Sequence, residues 1–409
     1  MKVLYVSSTC SDKKYFEYVE KRGLRVSQQA QKYNLLLAKG LAECGAEVKV
    51  ISSRPISSST SKKRWFRSER ETVDEIQFDY IKFANLKFLR QFFIFFGVFF
   101  KLLFSGNKRR ETAVVCDALN IVAAKAVRVA SVIRRFKTVA IVTDVPCHRP
   151  LGKKIPMHER INLRIMKKFS AYLLLTEKMN GIVNPKGRPY IVLEGHADLG
   201  MAAVENRLED KSEKRICIYA GSLRRIYGIE NLVRGFVKAG VPNTELHIYG
   251  DGDFRQELER LAEENDTVKY MGIAPNSEIV EAELRATLLV NPRPTHEEYT
   301  KYSFPSKNME YMASGTPVLT TKLPGMPEEY NDYVYLLEEE TEDGISEALK
   351  DILTRPAEEL HQKGLCAKKF VMEEKNNCVQ AKKVLEMVER EKIKCKRRKG
   401  EKRGRNQQA

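Results

Sequence analysis

The sequence predicts an α/β protein built from two doubly wound parallel sheets, and three observations carry that prediction. Short apolar, β-rich runs alternate with helical patterns along most of the chain. The alternation occurs twice, interrupted between about Gly195 and Lys214 by a small-residue and charged stretch. Of the 409 residues, 43% are hydrophobic, which supplies large cores and excludes disorder as the main state. The expected division is a first unit over 1–200 and a second over 201–374, facing each other across a cleft.

The elements follow in order. Lys2 to Val6 is a strand, a helical pattern ends near Cys44-Gly45, and Val48 to Ser52 is a second strand. Strand, helix and strand at this spacing make a βαβ unit, whose parallel sheet is buried on both faces. Ala113–Cys116, Thr138–Thr143, Ala171–Thr176 and Tyr190–Leu193 extend the first sheet. In the second half Ile216–Ala220, Leu246–Tyr249, Val268–Met271, Thr287–Val290 and Pro317–Thr320 read as strands, with helices over Ile229–Ala239 and Phe254–Glu264. Ligands of such sheets bind beyond the carboxyl ends of the strands.

The formal charge of +17 is unevenly spread. Residues 1–200 carry +20, residues 201–389 carry −11, and residues 390–409 carry +8. A basic first half and tail around an acidic middle point to an anionic surface touching the former. Eight cysteines without a CxxC pair spell neither a disulfide framework nor a zinc knuckle and suit a reducing compartment. The run after Met1-Lys2 is too short for a signal-peptide core, so a cytoplasmic location is expected. The segment 392–409, basic and without apolar periodicity, is expected to be disordered.

Several segments carry chemistry. In YSFPSKNMEYMASGTPVL (302–319), Pro305 suits a helix start, and Ser306 and Lys307 fall in a first turn whose N–H groups favour a diphosphate. Glu310, one turn on, has the reach for a sugar hydroxyl pair; its alternative is a solvent-facing position. YAGSLRRIYGIENLV (219–233) places Gly221 at a tight turn, with Arg224 or Arg225 poised to clamp phosphate. Asp251 and Asp253 in YGDGD imitate a metal-binding DxD, though capping of the next helix is the commoner use. Asp144 in VTDVPCHRP sits with His148 at a strand's carboxyl end, either orienting a hydroxyl or forming a turn before Pro146. His158 and His196 read as structural or solvent-facing.

FLRQFFIFFGVFFKLLF (88–104) is interrupted by Arg90 and Lys101 and is too short to span a bilayer. It is either a buried helix or an interfacial one pressing Phe92, Phe93, Phe95, Phe96, Phe99 and Phe100 into lipid. The basic stretch Pro156–Phe169, with Ile161, Ile165 and Phe169 on one side, points the same way.

On these segments, together with HIYGDGDFRQELE, LLVNPRP, LLLTEKMNGIVNPKGRPYIVLEG and the continuation TTKLPGMPEEY, the chain resembles bacterial glycosyltransferase family 4 (group 1) enzymes of the GT-B fold. It is most similar to those that build capsular, exopolysaccharide or O-unit sugars. The resemblance implies two Rossmann-like domains, a nucleoside-diphosphate sugar held mainly by the second and an acceptor held by the first. It also implies retention of anomeric configuration, no cofactor and no essential metal, and a final helix over 375–391 that crosses back to the first domain.

Residue by residue, the second of the family's paired glutamates falls on Glu310 and the first on Tyr302. The diphosphate-binding Arg falls on Ser222 and the Lys on Tyr227, leaving Arg224 and Arg225 between them as substitutes. Gly221, Ser222, Arg224, Arg225, Gly250, Ser306, Lys307 and Glu310 are therefore the expected donor-binding set, and Asp144 and Arg224 the expected catalytic pair. The expected activity is transfer of a sugar to a hydroxyl of a glycan, lipid-linked, at the inner face of the membrane, with an anionic membrane surface as partner and no nucleic acid. A non-catalytic relative serving as scaffold and a nucleotide-sugar epimerase are the alternatives.

Overall fold

In the computed structural model the described residues are all but Arg25, Ser27, Ser58, 107–110, 146–154 and 391–409. His148 and the segment 392–409 thus lie outside them. The chain divides into two units, Ala197–Asn376 and the remainder on either side of it.

In the first unit the strands are β1 (Lys2–Ser7), β2 (Glu47–Ser52), β3 (Trp65–Phe66), β4 (Glu69–Val73), β5 (Ile76–Tyr80), β6 (Phe83–Ala84), β7 (Thr112–Asp117), β8 (Lys137–Val142), β9 (Ala171–Leu174) and β10 (Tyr190–Val192). The helices are α1 (Asp12–Phe16), α2 (Gln28–Glu43), α3 (Lys87–Leu103), α4 (Ile121–Arg134), α5 (Met157–Met166) and α6 (Asn180–Val183). Among the described residues eight strands form one sheet in the order β10-β9-β8-β7-β1-β2-β5-β4, and β3 pairs with β6 apart from it. Every pairing in the large sheet is parallel except β4 with β5. Its central strands are buried on both faces, all six residues of β7 among them, which is why they are continuous apolar runs.

The β4–β5 hairpin had no counterpart among the predicted strands. Its turn residues Asp74 and Glu75 both take left-handed backbone, φ 50° and 61°. That geometry is normally announced by Asn-Gly, and this sequence lacks that signal.

The second unit contains β11 (Arg215–Ala220), β12 (Thr244–Tyr249), β13 (Val268–Gly272), β14 (Leu288–Asn291), β15 (Val318–Thr321) and β16 (Tyr335–Leu337). They form a parallel sheet in the order β13-β12-β11-β14-β15-β16. Its helices are α7 (Ile229–Ala239), α8 (Arg255–Glu264), α9 (Asn276–Arg285), α10 (Ser306–Ser314), α11 (Glu342–Thr354) and α12 (Ala357–Glu374). One core joins α7, α8 and α11 to the sheet through Leu232, Phe236, Leu258, Ile345 and Leu349.

A last helix, α13 (377–390), belongs to the first unit. Its Ala381, Val384, Met387 and Val388 are buried in the same core as Leu37 and Leu41 of α2. Gly40 of α2 makes this approach possible, since a Cβ there would lie 2.1 Å from the Asn377 carbonyl oxygen.

Candidate functional site

The second sheet reverses direction between β11 and β14: β12 and β13 extend one way, β15 and β16 the other. Loops leaving neighbouring strands at such a point diverge and leave a crevice. Here they are the loop from Gly221 to Gly228 after β11 and the loop from Pro292 after β14.

Close backbone contacts shape this edge. A Cβ on Gly250, which follows β12 at φ 135°, would fall 1.8 Å from the Gly221 carbonyl oxygen. Gly228, at φ 77°, brings its backbone against the Pro292 carbonyl, where a Cβ would sit 2.3 Å from the oxygen. Neither position admits a side chain. The β11 loop is also laced to the β12 loop: Leu223 N–H donates to the Asp251 carbonyl (2.9 Å), and Arg225 N–H to Asp253 Oδ1 (2.9 Å). The helix-capping reading of this acidic pair is therefore corrected. Phe254 occupies the cap position of α8, while Asp253 braces the glycine loop and Asp251 Oδ1 accepts from Gly252 N–H.

Helix α10 points its start at the same edge. Pro305 is its cap residue rather than its first turn, and Ser306 and Lys307 open the helix without a side-chain cap. Buried Tyr311 locks α10 to β11, accepting from Ala220 N–H (2.8 Å) and donating to the Ala220 carbonyl (3.3 Å). Asn308 ties it to both neighbouring strands, accepting from Asn291 Nδ2 (2.6 Å) and donating to Thr320 Oγ1 (3.1 Å). Lys307 and Glu310 pair with each other at 2.7 Å. Burial disfavours the Lys307 charge, but Glu310 and then Glu283 outweigh it and raise its pKa.

The arginines differ from one another. Arg225 is in an ion pair with Glu230 (3.0 Å), a carboxylate that Arg234 also pairs with (3.1 Å). The Arg224 guanidinium lies 5.4 Å from the centroid of the Tyr227 ring. A third arginine lies over the same ring: Arg293 Cζ is 4.4 Å from its centroid, with Nε buried and without a hydrogen-bond partner. Sequence reasoning missed Arg293. The signal was a basic residue between two prolines directly after a strand, in LLVNPRP.

In the first unit, Asp144 follows β8, is exposed, and its Oδ1 accepts from Val145 N–H (2.7 Å). A cavity of about 320 Å³ lies elsewhere, where the sheet reverses between β1 and β7. Ser8, Ser53, Arg90, Asp117 and Asn120 line it. Burial pushes the Asp117 carboxyl up to about 6, partly offset by the Leu119 N–H it accepts.

The Phe-rich segment is both buried and exposed. Ile94, Val98 and Leu102 of α3 enter the core, while Phe88 (81% exposed), Phe92, Phe96, Phe100 and Phe104 (75%) form an outward row at four-residue spacing. Phe92 and Phe96 meet at 4.5 Å between centroids, and Phe96 with Phe100 and Phe100 with Phe104 are stacked at 5.8 and 6.0 Å. The expected lipid-facing set is thereby corrected. Phe93 turns edge-on to Trp65 at 5.3 Å, and Phe95 and Phe99 are half-buried flanks. No helix among the described residues is long and apolar enough to cross a membrane.

Residues 203–397 match the family model described as glycosyl transferases group 1. No curated protein matches the chain. Among solved structures, it is similar to a sucrose-phosphate synthase from Thermosynechococcus elongatus, with 14% identity, 95% of this chain and 99% of that one covered, and a TM-score of 0.65. It is similar to Anabaena HepE in complex with UDP and glucose (14%, 95% and 99%, TM-score 0.63). A third similarity is to an E. coli trehalose-6-phosphate structure bound with UDP-2-fluoro glucose (9%, 95% and 99%, TM-score 0.66). The fold is GT-B.

Proposed function

We propose that this protein, whose residues 203–397 match the group 1 glycosyl transferase model, moves a sugar from a nucleoside-diphosphate donor, a UDP-sugar, to a hydroxyl of a glycan. The observation that carries this reading is the edge between β11 and β14. There an uncapped helix start at Ser306-Lys307 and an arginine-bearing glycine loop occupy the position where doubly wound sheets bind ligands. The UDP groups in the similar structures support the choice of nucleotide. The donor's C1–O bond to the diphosphate breaks with its electron pair going to the diphosphate, the acceptor hydroxyl oxygen forms the new bond to C1, and the hydroxyl proton passes to the departing diphosphate, whose charge fixed N–H groups and guanidinium groups stabilise. Glu310 pairs with Lys307 and is the carboxylate read as meeting the sugar hydroxyls. Asp144 is the acceptor-side carboxylate. Transfer proceeds with retention and needs no metal.

The test is a thermal-shift and turnover screen of UDP-, GDP-, ADP- and dTDP-sugars. Glu310→Ala and Arg224→Ala are each expected to lower transfer at least about tenfold, the size of losing one charge-stabilising contact. Unchanged turnover in either variant would remove that residue from the site. Binding without turnover would favour a scaffold role, and turnover without an acceptor an epimerase.

The acceptor is read as a lipid-linked glycan of cell-surface polysaccharide synthesis, such as capsule or exopolysaccharide, met at the inner face of the membrane. The Phe row on α3 supports this. α3 packs along α4, whose Val129, Val132 and Ile133 are also exposed, and neither helix contains an Asp or Glu. An apolar face without acidic residues suits an anionic bilayer surface. Flotation with vesicles of phosphatidylcholine alone, or with about a third phosphatidylglycerol, tests it. Equal recovery with both, or with neither, counts against the reading.

A further inference from the structure

We propose that Arg293 is the diphosphate-binding cation of this site, held in position by the ring of Tyr227. The inference rests on the donor reading above and names a residue for it.

The cation count at the β11–β14 edge poses the problem. Where the resemblance places an Arg and a Lys, this chain has Ser222 and Tyr227. Arg225 is paired with Glu230 and Lys307 with Glu310. Arg224 and Arg293 are left, and among the described residues neither has a carboxylate within ion-pair distance.

Their surroundings hold them without neutralising them. Pro292 and Pro294 restrict the backbone on either side of Arg293. The Arg293 carbonyl accepts from Thr321 Oγ1 at 2.6 Å, which anchors the loop to β15. Gly228 lets the β11 loop close onto Pro292, and this contact sets Tyr227 against Arg293. A guanidinium 4.4 Å from a ring centroid is at stacking distance, and the ring face attracts the cation without consuming its donors. A lysine at 227 would repel Arg293, whereas the tyrosine attracts it. The replacement thus moves the positive charge from one loop to the other.

The orphan Nε gives the second observation. It is buried with no acceptor, and the Tyr227 ring it packs on lies 6.4 Å, centroid to centroid, from Tyr299, whose hydroxyl is also buried and unpartnered. Buried donors are nearly always satisfied, and one left open on a guanidinium that shares the Tyr227 ring with Arg224 calls for an arriving oxyanion. Guanidinium groups match phosphate oxygens in pairs, so a nucleoside diphosphate fits better than a monoester.

The experiment measures UDP and UMP binding by calorimetry for the wild type, Arg293→Gln, Arg293→Lys, Tyr227→Phe and Tyr227→Leu. Expected results are a loss of about tenfold or more in UDP affinity for Arg293→Gln, against less than about threefold for UMP. Tyr227→Phe should bind UDP like the wild type and Tyr227→Leu more weakly, because the ring face and not the hydroxyl does the holding. Arg293→Lys, which keeps the charge, should bind UDP better than Arg293→Gln. Wild-type UDP affinity in Arg293→Gln overturns the proposal, as does an equal loss of UDP and UMP, which would mark a distorted loop. If the wild type binds UDP no better than UMP, the donor reading falls and this inference with it.

Discussion

Asp117 and His196 are buried in the same unit and respond to pH in opposite senses. Burial lifts the Asp117 carboxyl to about 6, above its unfolded value of 3.8. Its contribution to stability is present below 3.8 and lost as pH rises through 6. At pH 7 it is a buried carboxylate, and Asp117→Asn should stabilise the fold there by up to about 3 kcal/mol, taking about 1.4 kcal/mol per pH unit. Burial pulls His196 down to about 3, its ring lying 4.4 Å from that of Tyr33. Between 6.5 and 3 the unfolded chain takes a proton that the folded one refuses, so stability falls as pH drops through that window. His196→Phe should therefore remove about 2 kcal/mol of the loss between pH 6.5 and 5. Urea unfolding of the two variants at pH 5 and pH 7 checks both. A Tm of Asp117→Asn below that of the wild type at pH 7 would show that the carboxylate is answered by a partner after all.

At the scale of elements, what sequence could and could not show follows from where the determining contacts lie. Strands such as β1 and β7 were legible because burial on both faces leaves a local record of consecutive apolar residues. Glu310 and Arg224 were legible because they sit within a few positions of a helix start or a turn glycine. Arg293 was not, because its partner ring belongs to another loop far along the chain. The α3 helix was half legible: its composition left burial and exposure open, and only the register against α4 and β6 decides which Phe points out. That register yields a prediction. Val98→Ala, in the core, should cost about 1–3 kcal/mol, whereas the triple variant Phe92→Ser, Phe96→Ser, Phe100→Ser should melt within a few degrees of the wild type yet lose recovery with anionic vesicles. Equal destabilisation by both would mean that the Phe row is covered by protein.

For the whole molecule, the charge division sharpens the picture: residues 1–196 carry +21 and residues 197–376 carry −12, and the two segments belong to different units. Vesicle recovery should therefore fall as salt rises from about 0.1 to 0.5 M, where screening shortens from about 10 Å toward 4 Å. Insensitivity to salt would leave the Phe row as the sole attachment. Gly40→Val should unfold the first unit at lower urea than the wild type, since its side chain would strike the Asn377 backbone and displace α13.

The placement of α13 also bears on synthesis. Ala381, Val384, Met387 and Val388 fill a core whose other buried members are encoded before residue 200. A ribosome must therefore make the entire second unit before the first can close. A nascent chain whose emerged part ends at residue 376 should carry a finished second unit behind a first unit that proteases still open.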